Sequence, residues 1–160
     1  MKASEFPDFL RELKIEGAVV GPVLNDKGEP AGPGSGLQYG FLVTSQHGAR
    51  IAFQVATQED GMTAGDGPPA PYPQAVPVQP DRLVCRDVET SIAAWIGQSS
   101  AGRHVRAMKQ YSDEPGRKGI RFGLVLDLYS GGRVFIQALW ILEPGEAYTK
   151  DNKFRMRDEV

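Results

Sequence analysis

Two stretches of this chain resemble one another. GFLVTSQHGARIAFQVAT begins at Gly40, and GLVLDLYSGGRVFIQALW begins at Gly123, 83 residues later. Aligned, they share Gly40 with Gly123, Gly48 with Gly131, Arg50 with Arg133 and Gln54 with Gln137, and most other positions set apolar against apolar. Tyr39, Phe41 and Val43 alternate before the first turn, and Ile51, Phe53 and Val55 alternate after it. Alternation on both sides of a glycine is the signature of a β-hairpin. A hairpin that occurs twice, with a similar order of elements around it, predicts a duplicated unit.

The flanking segments fill in the rest. SEFPDFLRELK predicts a helix over 4–14, with Ser4 as N-cap and Phe6, Phe9, Leu10 and Leu13 on one face. IEGAVVGPVL reads as extended, and NDKGEPAGPGSG as a loop. Residues 58–80 are rich in Pro and Gly, so 61–80 are expected to be irregular or mobile, as a packed loop or a tolerated insertion. DRLVCRD reads as a short strand. Asp87 then caps a helix carrying Val88, Ile92, Trp95 and Ile96, which Gly97 or Gly102 can end. RHVRAMKQY reads as a strand with an unclean alternation. The second hairpin spans Ile120 to Tyr129 and Arg133 to Leu142, and a last strand is expected around Phe154 to Arg157.

The expected fold is therefore α+β, a single domain over 1–160. It consists of two tandem ββββ(α)-like repeats, 15–100 and 101–160, in a mainly antiparallel sheet with a short N-terminal helix and a central helix. Alternation places Val134, Ile136, Ala138 and Trp140 on one face of the second hairpin. Arg133, Phe135, Gln137 and Leu139 take the other, which matches Arg50, Ala52, Gln54 and Ala56 in the first. A core face keeps an Arg and a Gln only at a cost, so this is the candidate exposed face.

Composition excludes several classes. No apolar run approaches the roughly 18 residues of a membrane span. MKASEFPDFLREL lacks the pattern of a signal peptide, so a cytoplasmic location is expected. Cys85 is the single cysteine, which excludes an internal disulfide and a cysteine-based zinc cluster. Neither His47 nor His104 has metal-ligand spacing, and GPGSG leads into no helix that could hold a dinucleotide. No nucleophile-elbow serine is present. Cys85 lies just before a helix but reads as a buried small hydrophobe. No catalytic constellation, cofactor site or metal site is expected.

What remains is charge. The net charge is −2, but residues 1–99 hold 7 basic and 12 acidic side chains, and residues 100–160 hold 11 and 8. RHVRAMKQYSDEPGRKGIRF interleaves cations with rings. Arg103, Arg106, Lys109, Arg117, Lys118, Arg121 and the later Arg133 can track phosphates, and Tyr111, Phe122 and Tyr129 can stack on unpaired bases.

YSDEPGRKGIRF resembles the strand-turn-strand of the positive-cofactor-four and Whirly-type single-stranded DNA binders, and LYSGGRVFIQALWILEPGE is similar to their leading hairpin. That resemblance implies DNA binding on a curved sheet, with Arg117 and Lys118 as turn cations and Arg133 on the hairpin. Here the turn leads into a hairpin strand, where that family places a helix. The expectation is a non-enzymatic binder of single-stranded DNA or RNA, for which a homo-oligomer such as a dimer stays open. The alternative is a protein-interaction module: an adaptor, an immunity-type inhibitor or a phage-related accessory protein.

Overall fold

The computed structural model describes residues 1–24, 29, 39–59 and 65–160. The expected loop at 25–36 lies, apart from residue 29, outside the described residues, as do residues 61–64 of the Pro/Gly-rich stretch. The fold is α+β. Helix α1 (Phe6–Leu10) precedes strands β1 (Ala18–Gly21), β2 (Phe41–Ser45) and β3 (Arg50–Gln58). Helix α2 (Cys85–Gln98) precedes β4 (Val105–Gln110), β5 (Gly123–Leu128) and β6 (Arg133–Leu142). The six strands form one sheet in the order β1-β2-β3-β6-β5-β4, antiparallel throughout. Among the described residues, each half thus supplies a helix and then three strands, where ββββ(α) was expected.

The core lies on one face of the sheet. Ile51, Phe53, Val55, Leu124, Leu126, Val134, Ile136 and Ile141 point into it. Val88, Ile92 and Ile96 of α2 cover them, each fully buried. At about 1.5–3 kcal/mol per buried side chain, this apolar contact outweighs any intrinsic preference of the helix for its conformation.

Local chemistry moves several boundaries. The first helix is shorter than expected and starts as a 3₁₀ turn, Ala3–Glu5. Its leading N–H groups are not capped by Ser4. Glu5 accepts from the Lys2 amide (2.7 Å), and Glu59, at the end of β3, accepts from the Ala3 and Ser4 amides (3.2 and 2.7 Å). Hydrogen bonds from the Ser4 side chain first, then from the Ser4 and Ala3 amides, hold the Glu59 carboxyl below the ordinary carboxylate range. Helix α2 begins at Cys85 and not after Asp87. Val84 forms only an isolated bridge with Glu159, and the Cys85 amide donates to the Asp158 carbonyl (2.9 Å). No strand forms over 154–157, where the chain turns and Phe154 takes a positive φ of 63°.

Residues 65–80 are irregular, as expected, but they pack. Ala70 and Val78 are buried. The Val78 amide donates to the Glu16 carbonyl (2.9 Å), and Ser91 bonds both backbone groups of Val76. Gly97 does not end α2. A Cβ there would sit 2.4 Å from Tyr72 Cγ, so the glycine admits the Tyr72 ring against the helix.

Two bulges set the sheet faces. One in β6 falls between the partners of Ala52 and Phe53, so that Trp140 lies opposite Ala52 and Ala138 opposite Phe53. The extra residue, Leu139, reverses the alternation. Trp140 therefore shares a face with Arg133, Phe135 and Gln137, and not with Val134 and Ile136 as strict alternation predicted. The other bulge falls at Arg106 and accounts for the unclean period of β4.

The two hairpins have the same register. Phe41 pairs with Phe53 and Thr44 with Arg50; Leu124 pairs with Ile136 and Asp127 with Arg133. Their turn bonds also correspond. Gly48 donates to Ser45 (3.1 Å) as Gly131 donates to Leu128 (3.0 Å), with φ of 96° and 93° at the two glycines. Arg50 and Arg133 lie on the same face of the sheet.

Candidate interaction face

The face away from α2 carries Arg50, Ala52, Gln54 and Ala56 on β3 and Arg133, Phe135, Gln137 and Trp140 on β6. The chain covers part of it. Tyr148 meets Trp140 edge-on at 5.6 Å and lies under Arg50 at 5.5 Å. Trp140 Nε1 donates to the Thr149 carbonyl (3.0 Å), the Phe154 amide donates to Leu139 (2.8 Å), and Arg50 donates to the Glu146 carbonyl. Burial raises the Tyr148 phenol pKa. Arg157 clasps the Glu146 carboxylate and lowers its pKa to about 2.

Among the described residues, hollows remain on the β4–β5–β6 part of the same face and beside it. Two hollows, of about 340 and 410 Å³, share Tyr111, Glu114 and Arg117 as a common wall. The larger one reaches over Lys109, Val125, Asp127, Arg133 and Phe135. The wall is well built. The Arg117 guanidinium lies 3.7 Å from the centre of the Tyr111 ring, a close cation–π contact. Glu114 binds both Arg117 (2.6 Å) and Lys109, and these bonds hold its carboxyl below the ordinary range. Tyr111 Oη accepts from Gln137 Nε2 (3.0 Å).

Beneath the wall lies a polar node. Glu89 on α2 is fully buried. It accepts from Gln110 Nε2 (3.0 Å), the Ser112 amide (3.2 Å) and hydroxyl, and the Gly123 amide (2.8 Å). These donors satisfy the carboxylate without a cation and fix where β4 ends and β5 begins. Gly123 has φ of 151°, and a Cβ would fall 2.0 Å from the Ile136 carbonyl oxygen. Only glycine can bring that amide to Glu89.

The ten residues singled out for nucleic acid do not converge on one surface. Lys109, Arg117 and Arg133 meet in the larger hollow. Arg121 lines the smaller one, where it pairs with Asp158 (2.9 Å) and lies 5.6 Å from the Phe122 ring. Lys118 is exposed on the loop between Arg117 and Arg121. Arg103, Arg106 and Tyr129 lie at the other end of β4. There Arg103 contacts His104, Arg106 approaches Gly65, and the Tyr129 hydroxyl donates to Gly67 (2.7 Å). Of the three rings, Tyr111 and Phe122 are buried, at 2% and 5% exposure.

Composition alone does not show that carboxylates hold these cations. Asp127 binds Arg133 (2.6 Å) and raises its pKa, Glu114 holds two cations, and Asp158 holds Arg121. Hairpin register could have exposed one of these pairs, because Asp127 lies directly opposite Arg133. Cys85 is buried, and burial pushes its thiol up to about 12, so it is no nucleophile at neutral pH. Among the described residues no cluster of three or more His, Cys, Asp or Glu could hold a metal ion, and no helix is long and apolar enough to cross a membrane.

No family model matches the chain, and no curated protein and no solved structure matches it either.

Proposed function

We propose that this chain is a non-enzymatic interaction module that seats a segment of a partner protein on the β4–β5–β6 part of this face. One observation carries this reading: the cations of the face are held by the protein's own carboxylates around a half-buried Phe135 and a stacked Tyr111–Arg117 pair. Phosphate binding draws its free energy from releasing mobile counterions. A cation already paired with a fixed carboxylate must give up that pair before it can displace a counterion from a phosphate. Arg and aromatic side chains with mixed charges around them suit a protein interface instead.

Single-stranded nucleic acid is the second reading. Exposed Lys118, the excess of cations over residues 100–160 and the resemblance of YSDEPGRKGIRF favour it. It requires Arg117 and Arg133 to leave Glu114 and Asp127.

The common register of the hairpins supports a further part of the proposal, that the halves are copies of one helix-plus-three-strand unit. A cytoplasmic setting fits a chain whose one cysteine is buried and free.

The test is titration of a labelled single-stranded oligonucleotide at low salt, with the wild type and with Arg117, Lys118 and Arg121 together changed to Ala. The expected result is weak binding that the triple change leaves unaltered. Tight binding whose log–log salt slope falls by roughly 0.7 per lost contact would establish the second reading.

A further inference from the structure

Two irregularities of the backbone meet at one side chain. The bulge at Leu139 turns Trp140 onto the face of the sheet away from α2. The carbonyl of that same bulge residue accepts from the Phe154 amide (2.8 Å). Phe154 itself takes a φ of 63°, in a region that a bulky side chain rarely adopts. The bulge and the left-handed residue together aim two rings at one group. The Lys153 ammonium lies 5.2 Å from the centre of the Trp140 ring and 5.2 Å from that of Phe154. The Trp140 ring is fixed in turn by its bond to the Thr149 carbonyl and by the edge of Tyr148.

Fold stability does not account for this arrangement. Phe154 is 51% exposed, so its ring gains little from burial, and glycine would take the same φ without strain. Strain that the fold does not need points to function. Among the described residues no carboxylate pairs with Lys153, so its ammonium can leave the rings without stranding a buried charge.

We infer that Trp140 and Phe154 form a cation site for a lysine side chain of a partner protein, and that Lys153 is its resident occupant in the free chain. The ring faces attract an ammonium, and the methylene stem of lysine covers apolar ring surface. Lysine is the class because the resident group is itself a lysine. The site lies on the β3–β6 half of the face and does not depend on the contact proposed for β4–β5–β6.

The test uses the intact protein with Lys153→Ala, which vacates the site. Nα-acetyl-lysinamide and the uncharged Nα-acetyl-norleucinamide are titrated against it, and the Trp140 indole N–H is followed by NMR. Saturable binding of the lysine derivative is expected, with the norleucine derivative weaker by about fivefold or more. The wild type should bind the lysine derivative about twofold to fivefold more weakly than Lys153→Ala, since its own ammonium competes. Adding Phe154→Gly to Lys153→Ala should weaken binding by about fivefold and change the thermal midpoint little, because glycine suits that φ. Should circular dichroism show that Lys153→Ala loses its fold, Lys153→Gln, which keeps most of the stem without the charge, replaces it. No saturation by the lysine derivative at high millimolar concentration, equal binding of the norleucine derivative, or binding that ignores Phe154→Gly overturns the inference. Choline that binds where the lysine derivative does not also overturns it, since the site would then serve a free quaternary ammonium. None of these outcomes bears on the β4–β5–β6 reading, which has its own test.

Discussion

Gln54 and Gln137 stand directly opposite one another across the β3–β6 seam. They are also the matching glutamines of the two similar stretches. Under the proposed duplication this pair would mark the two-fold axis between the copies. On either side of this pair lie two aromatic–alanine pairs, Trp140 with Ala52 and Phe135 with Ala56, and beyond them the two arginines. The half of this face that binds the chain's own segment and the β4–β5–β6 half thus each carry an arginine beside an aromatic–alanine pair.

The matching turns should respond alike to substitution. Gly48→Ala and Gly131→Ala each force a β-carbon into the left-handed region, which costs about 1–2 kcal/mol. Urea unfolding should give similar losses for the two. Gly123→Ala should cost more, about 3 kcal/mol or above, because its β-carbon also meets a backbone carbonyl oxygen. Equal losses at all three positions would show that the close approach of β5 and β6 relaxes easily.

Glu89 should be the most costly carboxylate to remove. Glu89→Ala leaves several buried donors without an acceptor, at about 1–3 kcal/mol for each that water cannot reach. Equilibrium denaturation should show a loss on the order of 3 kcal/mol or more. A neutral substitution would mean that water or a local shift satisfies those donors.

The Pro/Gly-rich stretch should behave as packed structure. Replacing residues 66–79 by a short Gly/Ser linker removes Tyr72, Ala70 and Val78 from their contacts, so cooperative unfolding should shift to lower denaturant. Gly97→Val should have a smaller effect in the same direction by displacing Tyr72. An unchanged midpoint for the deletion would mark the stretch as an insertion after all.

Acid should weaken the covering segment before the core. Glu146 titrates near 2 in the folded chain, well below an unfolded Glu near 4.3. Its stabilisation is full above the unfolded value and is lost as pH falls through the folded one. Stability should decline between roughly pH 5 and 2. Glu146→Gln should be less stable than wild type at neutral pH, with the difference closing toward pH 2. A difference that stays constant with pH would mean that the carboxylate's charge is not what holds Arg157.

The hairpins and the α+β class were legible because period-two alternation is local. So was the placing of Arg50 and Arg133 on one face of the sheet, although the chain covers Arg50 there. What eluded the sequence depended on partners distant in the chain. Glu59 caps a helix 55 residues before it. A bulge at Leu139 moved Trp140 across the sheet, and nothing in VFIQALW announces it. Gly97 looked like a helix stop, yet it makes room for Tyr72. The candidate site suffered most. Tyr111 and Phe122 have the composition of stacking residues, but Arg117 closes over one and the fold buries both. Charge counts could not reveal that Glu114, Asp127 and Asp158 would each meet a cation.

The central claim is that the β4–β5–β6 part of the face recognises protein. Its most direct test is to select binders from a random peptide library and map one on the isotope-labelled protein by amide chemical-shift perturbation. The expected map centres on Lys109, Val125, Arg133 and Phe135 and fades toward Arg50 and Tyr148. Perturbations centred elsewhere, or a face that no peptide shifts while a single-stranded oligonucleotide does, would contradict it.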